Sequence, residues 1–179
     1  LISTIEKQMV SDVDIGTFLS GGVDSSIITA LAGKLKIKNL KTFTLGSDNY
    51  NFDESIKAKK ISEHLGFQNL SYTPSKPDIL DTILKLPKIY GEPFGDSSQI
   101  PTILLAKFTK NYVKVILSGD GGDETFGGYN RYKFFFNIHP KLKYVPDFFI
   151  KKIGFILKNV NPTKIDILFK NLNIIIPNK

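Results

Sequence analysis

Cysteine is absent from the 179 residues, which excludes disulfides, thiolate nucleophiles and cysteine-based metal centres. Histidine is scarce: only His64 and His139 are present, far apart in the chain. A Ser-His-Asp hydrolase is therefore not expected, and His64, near a predicted helix end, reads as a surface side chain. No apolar run approaches the roughly 20 residues that a membrane-spanning helix needs. Residues Leu1 to Val10 read as a short amphipathic helix with Ile2, Ile5 and Met9 on one face. They lack the long apolar run and small-residue cleavage site of a signal peptide. No initiator methionine heads the chain, so a piece of a longer protein is expected. A dense basic block is also missing. The net charge of +7 comes largely from lysines scattered over 34–60 and 133–170, a compositional bias rather than a nucleic-acid surface. Neither nucleic acid nor a membrane is an expected partner.

What is present is the composition of a globular domain, 41% hydrophobic and 23% charged. Ile15–Leu19 is a short apolar run that leads straight into Ser20-Gly21-Gly22, as a buried strand ending in a glycine loop would. Val23–Leu35 follows with helical spacing at Ile27, Ile28, Leu31 and Leu35. Further strands are predicted at Leu40–Leu45, closed by Gly46, at Gln68–Tyr72 and at Tyr112–Leu117. Helices are predicted at Asp53–Leu65, with Asp53 as N-cap and Gly66 beyond its end, at Pro77–Leu86, stopped by Pro87, and at Ile100–Lys110. Strands alternating with helices predict an α/β fold: a parallel sheet with helices on both faces. Beyond Tyr132 the strands stop. Apolar runs at 134–136, 148–150, 153–157 and 165–172, separated by prolines, predict a C-terminal helical section, with Phe134, Phe135 and Phe136 in its core. The expected division is 1–132 and 133–179.

Ligands of such sheets bind at the carboxyl ends of the strands. Three glycine-containing loops fall there, after the first, second and fourth strands. In Ser20-Gly21-Gly22-Val23-Asp24-Ser25-Ser26, the glycines permit a tight turn and close backbone approach, and the following helix aims free N–H groups at the loop. Ser20, Ser25 and Ser26 add hydroxyls. Asp24 would repel a phosphate unless it holds Mg²⁺, which binds carboxylate and phosphate oxygens together. Gly16 and Gly21 have the glycine spacing of a Walker A loop, but no Lys-Ser/Thr pair follows, so γ-phosphoryl transfer is not suggested. In the second acidic loop, Ser118-Gly119-Asp120-Gly121-Gly122-Asp123-Glu124, a strand delivers a Ser-Gly pair beside three acids, which calls for a cation or a proton-transfer role.

Ser20–Ser26 resembles the signature of the N-type ATP pyrophosphatases, which cleave ATP between its α- and β-phosphates. Together with Ser118–Glu124 and Phe126-Gly127-Gly128-Tyr129, it closely resembles the synthetase domain of the glutamine-hydrolysing asparagine synthetases. The stretches Lys41–Gly46, Phe52-Asp53-Glu54 and Glu92–Thr102 agree with that family in order. The resemblance implies an adenine-nucleotide-α-hydrolase-like fold and a cytoplasmic, AMP-forming ligase. Its substrates would be ATP, aspartate and ammonia, with Mg²⁺ as cofactor, and a glutaminase domain would precede Leu1. A homodimer is among the assemblies it allows. It further implies that Leu19 and Leu45 meet the base and ribose through backbone atoms. Ser20, Gly21, Gly22, Asp24, Ser25 and Ser26 would hold pyrophosphate, and Ser118 and Gly119 would line the α-phosphate. Asp24 and Asp123 would ligate Mg²⁺. Asp120, one methylene shorter than the Glu of well-studied members, would assist adenylation or accept a proton from ammonia. Asp96 and Ser97 would shape the aspartate pocket. The family's C-terminal Arg-x-Lys-x-Gly-Phe-type stretch is not seen before Lys179, so residues 1–179 are expected to form much of the ATP pocket yet to be inactive or nearly so alone. Two alternatives stay open: a β-lactam-synthetase-like or peptide-cyclising relative, and a non-catalytic nucleotide-binding fragment.

Overall fold

Among the described residues, four short strands, all parallel, form one sheet that organises the first part of the chain. The computed structural model describes residues 1–35, 40–49, 53–92, 95–130, 132, 135–137, 140 and 144–159. The element order is α1 (Ile2–Gln8), β1 (Ile15–Phe18), α2 (Val23–Lys34), β2 (Lys41–Leu45), α3 (Ser55–Leu65), β3 (Gln68–Tyr72), α4 (Lys76–Tyr90), α5 (Gln99–Thr109) and β4 (Val115–Leu117). The described residues then form α6 (Gly122–Phe126) and α7 (Asp147–Asn159). The predicted helix at 165–172, together with Phe134 and His139, lies outside the described residues.

The strand order is β3-β2-β1-β4. Successive strands move outward from β1 in one direction, and β4 then pairs on the other side of β1, with Ile15 opposite Val115 and Thr17 opposite Leu117. That reversal is a topological switch point, and the loops after β1 and β4 flank the crevice it opens.

Two apolar layers cover the sheet. On one face Ile5, Ala32 and Leu40 are buried together, with Met9, Ile28, Leu31, Leu35, Phe67 and Leu117 packed around them. On the other, Phe43, Leu105 and Val113 are buried with Phe18, Leu45, Leu70, Phe108 and Ile116. The adjacent residues Ile116 and Leu117 of β4 thus serve opposite layers, as the two-residue period of a strand dictates. The expected α/β architecture with helices on both faces is the one observed.

Two units divide the chain, Leu1–Asp120 and Gly121–Lys179. In the second, α6 is a single turn between left-handed glycines, Gly121 (φ 85°) and Gly127 (φ 69°). Phe135 and Phe136 are exposed rather than core, their rings meeting edge-on at 6.3 Å. Neighbouring residues on a helix point in different directions, so one apolar layer cannot take them all.

Several local details differ from expectation. Asp53 is not the N-cap of α3; its carboxylate accepts instead from the amides of Ser47 (3.3 Å) and Ser55 (3.1 Å) and from the Ser55 hydroxyl (2.9 Å). These bonds hold its carboxyl below the ordinary range, the Ser55 hydroxyl contributing most. Pro87 does not stop α4, which continues to Tyr90 and ends at Gly91 (φ 74°), whose amide donates to Pro87 O. The proline leaves only the Ile83 carbonyl without its helical donor, and Ile83 is solvent-exposed, where water can replace the bond. β4 is shorter than Tyr112–Leu117 because the amides of Tyr112 and Val113 turn back to Thr109 O and finish α5. Ile2 is exposed, so only Ile5 and Met9 of the first helix reach the core. Gly66 does adopt the left-handed conformation that ends α3, and His64 is exposed.

Candidate active site

The chain is fixed in place just before the Ser20–Ser26 loop. Leu19 is 1% exposed; its amide donates to Phe43 O at 2.8 Å and its carbonyl accepts from the Thr44 hydroxyl at 2.7 Å. Both backbone groups of Leu19 are therefore engaged with β2. Gly21 then turns the chain with φ 80°, a conformation that side chains other than glycine rarely adopt. A Cβ there would lie 2.7 Å from Lys57 Cβ and 3.2 Å from the Ala58 amide, so the loop rests directly on the first turn of α3.

Gly22 is the N-cap residue of α2, and no side chain caps the helix. The amides of Val23, Asp24 and Ser25 precede the first residue able to bond within the helix, Ser26, whose amide reaches Gly22 O at 3.1 Å. Three amides and the positive end of the helix dipole are thus directed at the loop. The serines largely shape the loop itself. Ser20 and Ser25 pair through their hydroxyls at 3.0 Å, the Gly22 amide donates to Ser20 Oγ, and Ser26 donates to Gly22 O at 2.6 Å. Thr29, fully buried, reaches Ser25 O at 2.8 Å and Thr17 Oγ1 at 3.0 Å, which ties the first turn of α2 to β1.

The loop after β4 meets this turn. A Cβ on Gly119 would lie 2.8 Å from the Ser25 amide nitrogen and 3.2 Å from Asp24 Cβ, a space no side chain can share with backbone. Ser118 donates its hydroxyl to the Asp120 carboxylate at 2.9 Å, and Asp120 is exposed. Ser20–Ser26 and Ser118–Asp120 are therefore brought together at the switch point. Leu45 ends β2 with its side chain in the second apolar layer, and the Gly46 amide donates to Tyr72 O.

Asp24 is half-buried in the first turn of α2 and makes no hydrogen bond or ion pair among the described residues. Asp123, in the second unit, opens α6; its carbonyl accepts from the Gly128 amide at 3.0 Å, and its carboxylate lies against Gly128. Asp96 accepts from the Ser98 amide at 2.8 Å, which lowers its carboxyl from the ordinary range and occupies it at the start of α5. Pro93 and Phe94 of the same stretch lie outside the described residues. No group of three or more His, Asp or Glu side chains gathers into a metal cage among the described residues. A Mg²⁺ ion carried on a nucleotide needs none: one or two carboxylates suffice, with phosphate oxygens and water completing the octahedron. An unpartnered carboxylate beside three free amides fits such an ion.

Sequence reasoning missed the layer beneath the loop. Thr17, Thr29, Thr42 and Thr44 are essentially fully buried, and Asn69 of β3 donates to both Thr42 and Thr44. The signal was the strict alternation Thr42-Phe43-Thr44-Leu45. In a strand covered on both faces, the polar half of that alternation must be paired internally, and no buried side-chain nitrogen or oxygen among the described residues lacks a partner.

Residues 1–172 match the family model described as asparagine synthase. The chain is 38% identical over 133 residues to the glutamine-hydrolyzing asparagine synthetase 1 of Bacillus subtilis (strain 168), covering 74% of this chain and 21% of that protein. It is 33% identical over 142 residues to the glutamine-hydrolyzing asparagine synthetase 1 of Arabidopsis thaliana, covering 71% of this chain and 24% of that protein. The chain thus spans about a quarter or less of the length of these relatives.

Proposed function

Because the chain belongs to the asparagine synthase family, we propose that it carries the ATP-splitting site of an asparagine-forming ligase. The side-chain carboxylate of aspartate attacks the α-phosphorus of ATP; the bond to the bridging oxygen breaks, and pyrophosphate leaves. Ammonia then attacks the acyl carbon of β-aspartyl-AMP, AMP departs, and a proton is lost from nitrogen to give asparagine.

The observation that carries this reading is the uncapped start of α2 with Gly119 seated on its first turn. The departing pyrophosphate gains negative charge at its α-side oxygen, and the amides of Val23, Asp24 and Ser25 are preorganised to receive it. Ser118 and Gly119, on the adjoining loop, are the proposed neighbours of the α-phosphate, where the bond breaks. Leu45 and the carbonyl edge of Leu19 border the proposed base and ribose side. Mg²⁺ would be held by Asp24 and would neutralise phosphate charge. Asp120, which is exposed and accepts the Ser118 hydroxyl beside the proposed α-phosphate loop, is the proposed proton acceptor for ammonia.

Exchange of radiolabelled pyrophosphate into ATP tests the reading, measured on the full-length protein with and without aspartate. Aspartate-dependent exchange is the expected result. Exchange that ignores aspartate and answers to another carboxylic acid would reject the substrate assignment, and no exchange with any acid would reject adenylation.

A further inference from the structure

Asn69 lies on β3, two strands from the Ser20–Ser26 loop, yet its side chain controls a bond at the loop's entry. Its Nδ2 donates to Thr42 Oγ1 at 2.8 Å and to Thr44 Oγ1 at 2.9 Å. An amide nitrogen carries two hydrogens, so both are used. Each threonine hydroxyl, already accepting, must turn its own hydrogen elsewhere. Thr42 donates to Gln68 O at 3.2 Å, and Thr44 donates to Leu19 O at 2.7 Å. The opposite amide orientation would place an acceptor before both hydroxyls and draw their hydrogens away, leaving the carbonyl of the buried Leu19 without this donor. The polarity of one amide therefore sets the direction of the hydroxyl that grips the residue before Ser20.

We infer that Asn69 is a positioning residue for nucleotide binding: through Thr44 it holds Leu19 and the start of the Ser20–Ser26 loop in the conformation that receives the pyrophosphate part of ATP. The inference rests on the nucleotide-site reading above. Asn69 touches no substrate. It acts by making the Thr44 hydroxyl a donor in one direction only. The register makes this arrangement available, since β2 and β3 pair with Thr42 opposite Asn69 and Thr44 opposite Ser71, which places the amide beside both hydroxyls.

The variants divide the network into a branch that reaches the loop and one that does not. Asn69→Asp keeps the shape but replaces the donors by acceptors. Thr44→Val removes the hydroxyl, and Thr44→Ser restores it. Thr42→Val removes the equivalent hydroxyl on the branch that ends at Gln68. Titration of Mg·ATP into the full-length protein by calorimetry, with thermal midpoints recorded alongside, is the measurement. Asn69→Asp and Thr44→Val should each weaken binding roughly tenfold or more, the scale of an unmade buried hydrogen bond. Thr44→Ser should bind as the native chain does, and Thr42→Val should lower the midpoint while leaving affinity unchanged. Amide resonances of Gly21 and Gly22 should move in Thr44→Val and return in Thr44→Ser. If Asn69→Asp does not fold, the three threonine variants decide the matter. The inference is overturned if Thr44→Val binds like the native chain, if Thr44→Ser fails to restore binding, or if Thr42→Val weakens it equally. Absence of Mg·ATP binding by the native chain would remove the nucleotide reading and this inference with it.

Discussion

Two helices of the same unit begin in opposite ways. At the start of α4, Ser75 and Asp78 form a reciprocal capping box: the Ser75 hydroxyl accepts from the Asp78 amide, and the Asp78 carboxylate takes both the amide (3.0 Å) and the hydroxyl of Ser75. At the start of α2, Gly22 occupies the cap position, no side chain answers the amides, and the first-turn acid, Asp24, has no partner among the described residues. Both helices have an aspartate in the first turn. One is used up by the chain itself and the other is left for something else. An acid at a helix N-terminus thus carries different meanings, and the residue at the cap, serine or glycine, separates them.

The largest effect should come from removing the free acid. Asp24→Ala should lower aspartate-dependent pyrophosphate exchange by roughly a hundredfold to a thousandfold, the usual cost of deleting a group that stabilises transition-state charge. Asp78→Asn should leave that rate unchanged. Equal losses in the two variants would erase the distinction between the helices. Next in size is Gly119→Ala. The added methyl would push against the Ser25 amide at 2.8 Å, and Mg·ATP affinity should fall about tenfold in calorimetry, since the two loops must part to admit it. Unchanged affinity would mean that their contact plays no part in binding.

The smallest effects concern the closed helix. Ser75→Ala should lower stability by about 1 kcal/mol in denaturant unfolding with exchange intact. Its pH dependence has a definite sign. The Asp78 carboxyl is held below its ordinary value of 3.8, chiefly by the Ser75 hydroxyl. Its stabilising contribution is thus in place above that value and is lost as pH falls through the lower folded-state value. In Ser75→Ala the main cause is gone, so the gap in thermal midpoint between variant and native chain should narrow as pH drops below about 4. A gap that stays constant with pH would show that the box does not depend on an ionised Asp78.

The open helix was legible in the sequence because its signals are local. Ile15–Leu19 running into Ser20-Gly21-Gly22 predicts a strand, a turn and a helix start, and all three are present. The other glycine-bearing loops were legible for the same reason. Features that depend on strand pairing were not. Nothing between Leu19 and Thr44 in the chain announces that one carbonyl will receive the other's hydroxyl, and nothing marks Asn69 as their neighbour until β2 and β3 are set in register. The Gly119 contact on Ser25 likewise needs β4 to lie beside β1. Asp53 misled because aspartate suits an N-cap and a loop clasp equally well, and the serines at 47 and 55 drew it to the second use.

In the proposed reaction a carboxylate oxygen attacks the α-phosphorus of ATP at the Ser20–Ser26 loop. The most direct test supplies the full-length protein with Mg·ATP, ammonia and aspartate labelled with heavy oxygen in its side-chain carboxylate, and then examines the AMP by phosphorus NMR. The expected product is AMP carrying one labelled oxygen on phosphorus, delivered when ammonia cleaves the acyl–oxygen bond. AMP without label, or ADP as the product, would contradict it.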